Sequence, residues 1–208
     1  MHPNPAFRAT PEADSIAFAR ERAFGTLALN AQGGPLLSHV PFLLNEDATS
    51  ADLHLMRSNP ILALLENAQQ AVIAVQGPDG YVSPDWYGVA DQVPTWNYVA
   101  VHLRGTLQRL DDAEMRDMLN RQSAHFEVML TPKKPWHSDK MTPGVMERMM
   151  RQIVPCRFTI TAVNSSWKLG QNKPDAARTN AAAHMAAHGI GQDTPLLAAL
   201  MDSQSRKN

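Results

Sequence analysis

The chain of 208 residues predicts an α+β fold centred on a small antiparallel β-barrel, and three observations lead there. Apolar runs of strand length recur between residues 25 and 57 with only short turns between them. Parallel strands need a crossover of a dozen or more residues, which that stretch lacks. Helical spacing is confined to short segments between the strands and to the C-terminal end.

In order along the chain, Thr10-Pro11-Glu12 opens a capped helix, with proline at the first helical position and acids in the first turn. Residues 25–30 and 35–44 form a hairpin across Ala31-Gln32-Gly33-Gly34, whose glycines suit a tight turn. A third strand at 52–57 runs into a short helix that Ser58 or Asn59 caps, with Pro60 in its first turn. Residues 71–77 read as a buried strand, Gly77-Pro78-Asp79-Gly80 as a turn, and 95–110 as a long barrel strand. Asp111-Asp112-Ala113-Glu114 starts a helix with Met115, Met118, Leu119, Gln122, Phe126 and Met129 at helical spacing. A loop with three prolines covers 131–144, a short helix follows at 145–153, and 155–163 is the last clear strand. Two helices close the chain, the first rich in alanine. The expected organisation is one barrel domain over 1–178 with a helical extension over 179–208 packed on it.

Composition narrows the function. A formal net charge of −1 without a basic run disfavours a dedicated nucleic-acid binder. Cys156 is the single cysteine, so an intramolecular disulfide is excluded and a reducing cytoplasm fits. No apolar run reaches membrane-spanning length, and the N-terminus lacks a signal pattern. No GxSxG, Walker A or GxGxxG motif occurs, which removes the key residues of acyl transfer, P-loop and Rossmann chemistry.

Two stretches carry ligand chemistry. Arg57-Ser58-Asn59-Pro60 places a guanidinium beside unpaired N–H groups at a helix start, a phosphate-binding combination that is also a common plain cap. Between Tyr81 and Tyr98 lie all three tyrosines together with Trp86 and Trp96, among poor core residues such as Ser83, Asp85, Gly88 and Asn97. Rings for faces and amides or hydroxyls for edges suit a planar heteroaromatic ligand, although core or interface packing is the commoner use. Trp167 to Lys173 repeats the mixture more weakly. His184 and His188, four apart on the alanine-rich helix, lack a third metal ligand and read as exposed helix. His39, His54 and His102 read as hydrogen-bonded strand histidines.

The order LLSHVPFLL, LHLMRSNP, YVSPDWY, VPTWNYVAVHLRG and WKLGQNKPDAAR resembles the PaiB-type family of FMN-binding negative transcriptional regulators, from about Ala6 to about Leu200. That family sits in the FMN-binding split-barrel group with pyridoxamine-phosphate-oxidase-like relatives. The resemblance implies a six-stranded antiparallel Greek-key split barrel, paired as a homodimer with FMN between subunits. It implies that Ser38, His39, Val40 and Pro41 line the flavin and that Arg57, Ser58 and Asn59 hold its phosphate. Ser83, Trp86, Tyr87, Trp96 and Asn97 would form the ring pocket and dimer seam, and Lys168, Gln171 and Asn172 would reach the same cofactor. The chain departs from the family pattern at Ser58, at Ile61-Leu62, where an aromatic residue is usual, and at Gly170, where serine is frequent. The implied role is a regulator acting as a redox or metabolite sensor, with direct DNA contact doubtful for want of a basic recognition helix. The alternative is an FMN-dependent oxidoreductase with no nameable acid or base.

Overall fold

The computed structural model describes residues 1–204. Among them, five α-helices and eight strands form a mixed fold around an antiparallel sheet. The helices are α1 (Glu12–Arg22), α2 (Met115–Val128), α3 (Val145–Met150), α4 (Asp175–His188) and α5 (Thr194–Ser203). The strands are β1 (Phe24–Ala31), β2 (Gly34–Pro41), β3 (Leu43–Leu44), β4 (Ser50–Met56), β5 (Gln69–Val82), β6 (Thr95–Arg109), β7 (Ile153–Lys168) and β8 (Ile190–Gln192). Their order is β2-β1-β5-β6-β7-β4-β3, with β8 added on β5.

Six of the eight strands have seven residues or more. The other two, β3 and β8, have two and three residues. The hydrogen-bonded path ends at β2 and β3, so it does not close on itself. The hairpin of β1 and β2 forms as expected, Phe24 facing Pro41 and Ala31 facing Gly34. The turn expected at Gly77–Gly80 is absent, because β5 runs straight through it to Val82. A distant segment removes the need to turn: β8 pairs Asp79, Gly80 and Tyr81 with Gln192, Gly191 and Ile190. Side chains explain why glycine stands at position 80, since an added Cβ would lie 2.7 Å from the Met185 sulfur.

The backbone divides into two compact units, each discontinuous in sequence. One holds Phe18–Ala74 and Leu103–Val163. Its core includes Leu27, Leu29, Phe42, Leu53, Ile73, Leu103, Leu107 and Phe158, all nearly or completely buried. Burying each such side chain stabilises the fold by about 1.5–3 kcal/mol. A charged knot fastens α2 to β4 in this unit. The buried Asp52 carboxylate accepts from Arg157 Nε at 2.8 Å and Arg121 Nη2 at 2.9 Å, while its carbonyl accepts from Gln122 Nε2 at 2.9 Å. Cys156 is fully buried here, and burial pushes its thiol up to about 12.

The other unit holds Met1–Ala17, Val75–His102 and the chain from Asn164 onward. Helices α4 and α5 pack together within it through Ala181, Met185, Leu197 and Met201. Trp167 is buried and its indole N–H donates to Ser15 Oγ at 3.2 Å. The boundary expected between residues 178 and 179 falls inside α4. No helix among the described residues is long and apolar enough to cross a membrane.

Candidate functional site

The fifteen residues singled out above fall into two groups, one in each unit. In the unit of the β1–β2 hairpin, Ser38, His39, Val40 and Pro41 lie on β2 opposite Leu27, Thr26, Gly25 and Phe24. Strand alternation sends their side chains to opposite faces. Val40 is 2% exposed and belongs to the core, while His39 is exposed and Ser38 and Pro41 are half-buried. Phe24 and Leu37 lie on the same face as His39, and both are more than half exposed.

After β4 the chain turns sharply at Arg57-Ser58-Asn59, with Asn59 N–H donating to the Met56 carbonyl at 2.8 Å. Asn59 then does two jobs. Its Oδ1 accepts from Ile61 N–H at 3.0 Å, capping a short 3-10 turn over Pro60–Leu64. Its Nδ2 donates to Ser38 Oγ at 3.1 Å, which joins the two expected cofactor segments of this unit directly. Ser58 is exposed beside them.

The Arg57 guanidinium has protein partners on its Nε and Nη2 edge. Its Nε donates to the Arg151 carbonyl at 2.9 Å, and its Nη2 to the Ile153 carbonyl at 3.1 Å and to Asp112 Oδ2 at 3.2 Å. Those bonds use three of the five guanidinium donors and pin the end of β4 to the start of β7. The signal that competes with phosphate binding is Asp112, which the sequence offers only as a helix-start acid.

The second group surrounds the aromatic stretch. Ser83 precedes a 3-10 turn over Pro84–Tyr87 that ends at Gly88 with φ of 64°. Trp86 stacks on His184 of α4 at 5.7 Å between centroids, and its carbonyl accepts from Asn180 Nδ2 at 2.7 Å. Tyr87 is buried, burial raises its pKa above the ordinary tyrosine value, and Lys173 Nζ lies 5.1 Å from its ring centre. Trp96 is 47% exposed, meeting Tyr81 edge to face at 6.3 Å.

Asn97 is 1% exposed, and among the described residues its Nδ2 donates only to the Met201 sulfur at 3.5 Å. A thioether is a weak acceptor, so this buried amide has capacity to spare. Lys168, half-buried, donates to Thr95 Oγ1. Burial, then the neighbouring Lys173 charge, lower its pKa below the ordinary lysine value. Gln171 is turned back on its own loop, donating to the Trp167 carbonyl at 2.6 Å and accepting from Leu169 N–H at 2.8 Å. Asn172 is exposed.

Sequence reasoning passed over Asn180 and Met201, which with Thr95 and His184 hold these candidates in place. Weighed with His188, His184 reads from sequence as exposed helix, whereas it stacks on Trp86. Among the described residues no group of three or more His, Cys, Asp or Glu could hold a metal ion. The donors present suit a flavin: hydroxyls, amides and cations beside rings, with an underused buried amide at Asn97.

Comparison with known proteins agrees with that chemistry. The chain is 29% identical over 176 residues to the "Protease synthase and sporulation protein PAI 2" of Bacillus subtilis, covering 84% of each chain. Its fold resembles the solved "FAD and Heme binding protein from Mycobacterium smegmatis", with a TM-score of 0.58 at 17% identity over 89% of this chain and 82% of that one. The solved "putative 5-nitroimidazole antibiotic resistance protein from Bacteroides thetaiotaomicron" aligns with a TM-score of 0.52 at 13% identity, over 76% of this chain and 84% of that one. The family model described as "Putative FMN-binding domain" matches residues 1–162, and the chain therefore belongs to that FMN-binding family.

Proposed function

We propose that the chain is a cytoplasmic FMN-carrying homodimer that acts as a flavin-based sensor in gene regulation, built on a six-stranded split barrel. The observation that carries this reading is the family match over residues 1–162. Bound FMN supplies reversible electron and hydride exchange, which a protein environment tunes. Ser38, Ser58 and Asn59 are assigned the phosphate, held in register by the bond from Asn59 to Ser38. Trp86, Tyr87, Trp96 and Asn97 are assigned the ring, with Lys168 placing a cation near it. Either protomer of the dimer is free to supply each group.

Dimerisation is supported by exposed apolar side chains that monomers seldom leave in water: Leu37 at 61%, Phe24 at 54% and Val93 at 73% exposure. The indirect role in regulation is supported by the arginines of α2 and α4. Arg116 and Arg121 of α2 are paired with Glu147, Asp117 and Asp52, and Arg178 of α4 with Asp175. Cations held in that way make a poor recognition surface for DNA.

The test starts with protein purified in excess FMN and desalted. Flavin absorption bands at one FMN per chain, and a dimer by light scattering, are expected. A colourless protein that does not quench added FMN fluorescence would overturn the reading. Rapid bleaching by NADH or NADPH would instead favour the oxidoreductase. Tight, salt-sensitive gel shifts with DNA would overturn indirect regulation.

A further inference from the structure

We propose that the cavity between the start of α2 and helix α3 binds a small amphipathic monoanion, a carboxylate carrying an apolar tail. The cavity measures about 510 Å³, inside the ordinary range for small-molecule sites. Its apolar surface comes from Met115, Met150 and Ile153, the first almost fully buried. Thioethers adapt to irregular tails because the side chain is unbranched and polarizable.

Charge selects the other end of the ligand. Arg57, Arg116 and Arg151 line the cavity with Asp112 and Glu147, so three cations face two acids. Arg57 pairs with Asp112 and Arg116 with Glu147. Among the described residues the Arg151 guanidinium has no hydrogen bond or ion pair. Its backbone is nonetheless held in place, its carbonyl accepting from Arg57 Nε at 2.9 Å and its N–H donating to the Glu147 carbonyl at 3.3 Å. One surplus cation over an apolar floor suits one negative charge on an apolar body. No aromatic side chain lines the cavity, so it offers no platform for a flavin ring or nucleobase. The two acids would also repel a polyphosphate. The proposal sets this ligand apart from FMN, although Arg57 lines the cavity, and flavin absorption is read separately from it.

Isothermal titration of the full chain with acetate, hexanoate and octanoate tests the idea. Affinity should rise about fourfold per added methylene until the tail fills the cavity. Arg151→Gln should weaken octanoate binding about tenfold or more, with the melting temperature unchanged. Equal affinity for acetate and octanoate, or octanoate binding that survives Arg151→Gln, would overturn the proposal. So would loss of octanoate binding on saturation with FMN, since the cavity would then be part of the flavin site. The chain-length series on unaltered protein decides the matter even if the variant fails to fold.

Discussion

Asp52→Asn isolates the charged knot that fastens α2 to β4, the strand leading into Arg57-Ser58-Asn59. The aspartate side chain is 7% exposed, whereas Arg121 and Arg157 are 45% and 36% exposed. Removing one partner of a fully buried pair costs about 3–5 kcal/mol. Here the bereaved arginines can regain water, which lowers the expected loss to about 2–3 kcal/mol at pH 7. For a chain of this size that is a fall in melting temperature of about 5–10 °C.

The pH dependence has a definite sign. Burial pushes the Asp52 pKa up, but hydrogen bonds from Arg157 and then Arg121 outweigh it, so the folded value lies below the ordinary 3.8. A depressed folded pKa gives stability that is complete above the unfolded value and is lost as pH falls through the folded one. Urea denaturation of both proteins at pH 7, 5 and 3.5 should therefore show an equal gap at the first two and a smaller one at the third. A gap under about 0.5 kcal/mol at pH 7 would place the pair among the inconsequential surface bridges. A gap that did not narrow in acid would refute the linkage argument.

Asn59→Ala removes both the cap on Ile61 and the bond to Ser38, and should cost about 1–3 kcal/mol in denaturation while weakening FMN in a fluorescence titration. Asn59→Asp keeps the cap acceptor, so it should cost less stability while still weakening FMN through the added negative charge. Trp96→Ala should lower dimer stability and flavin occupancy together, by about 2 kcal/mol or more if the ring is a hot spot, read by light scattering and absorbance on one sample. Gly105→Ala would set a Cβ 1.8 Å from the Thr159 carbonyl oxygen, and loss of soluble folded protein is expected. Native Cys156 should resist iodoacetamide at pH 8 and react once urea unfolds the chain, since its pKa of about 12 leaves almost no thiolate.

What could be read from sequence was whatever lay in local patterns. Glycines at 33 and 34 announced the hairpin, and Asn59 before Pro60 announced a cap that forms through the expected side-chain oxygen. What could not be read depended on remote partners. Gly77-Pro78-Asp79-Gly80 has the composition of a turn, yet it stays extended inside β5, and one strand paired with it there lies more than a hundred residues away. Asp52 gave no sign of being a hub, because its arginines lie 69 and 105 residues further on. Arg57 could be read as a cation beside a cap, but its orientation by Asp112 and two backbone carbonyls could not, since they lie 55 to 96 residues away. The underused amide of Asn97 was invisible for the same reason: Met201, its partner, is 104 residues away.

The interleaving of the two units sets an order of assembly on the ribosome. Everything in the unit of Phe18–Ala74 and Leu103–Val163 has been synthesised once Val163 is added. The other unit opens with Met1 yet lacks its closing segment until the chain beyond Asn164 has emerged. Its early pieces, Trp86 among them, must wait for α4 before their surface is covered. Bringing ends that far apart together also carries a loop-closure cost. The late-made helices thus act as a latch on nascent aromatic surface, and a ribosome stalled near residue 165 would present the chaperone machinery with a finished half and an unfinished one.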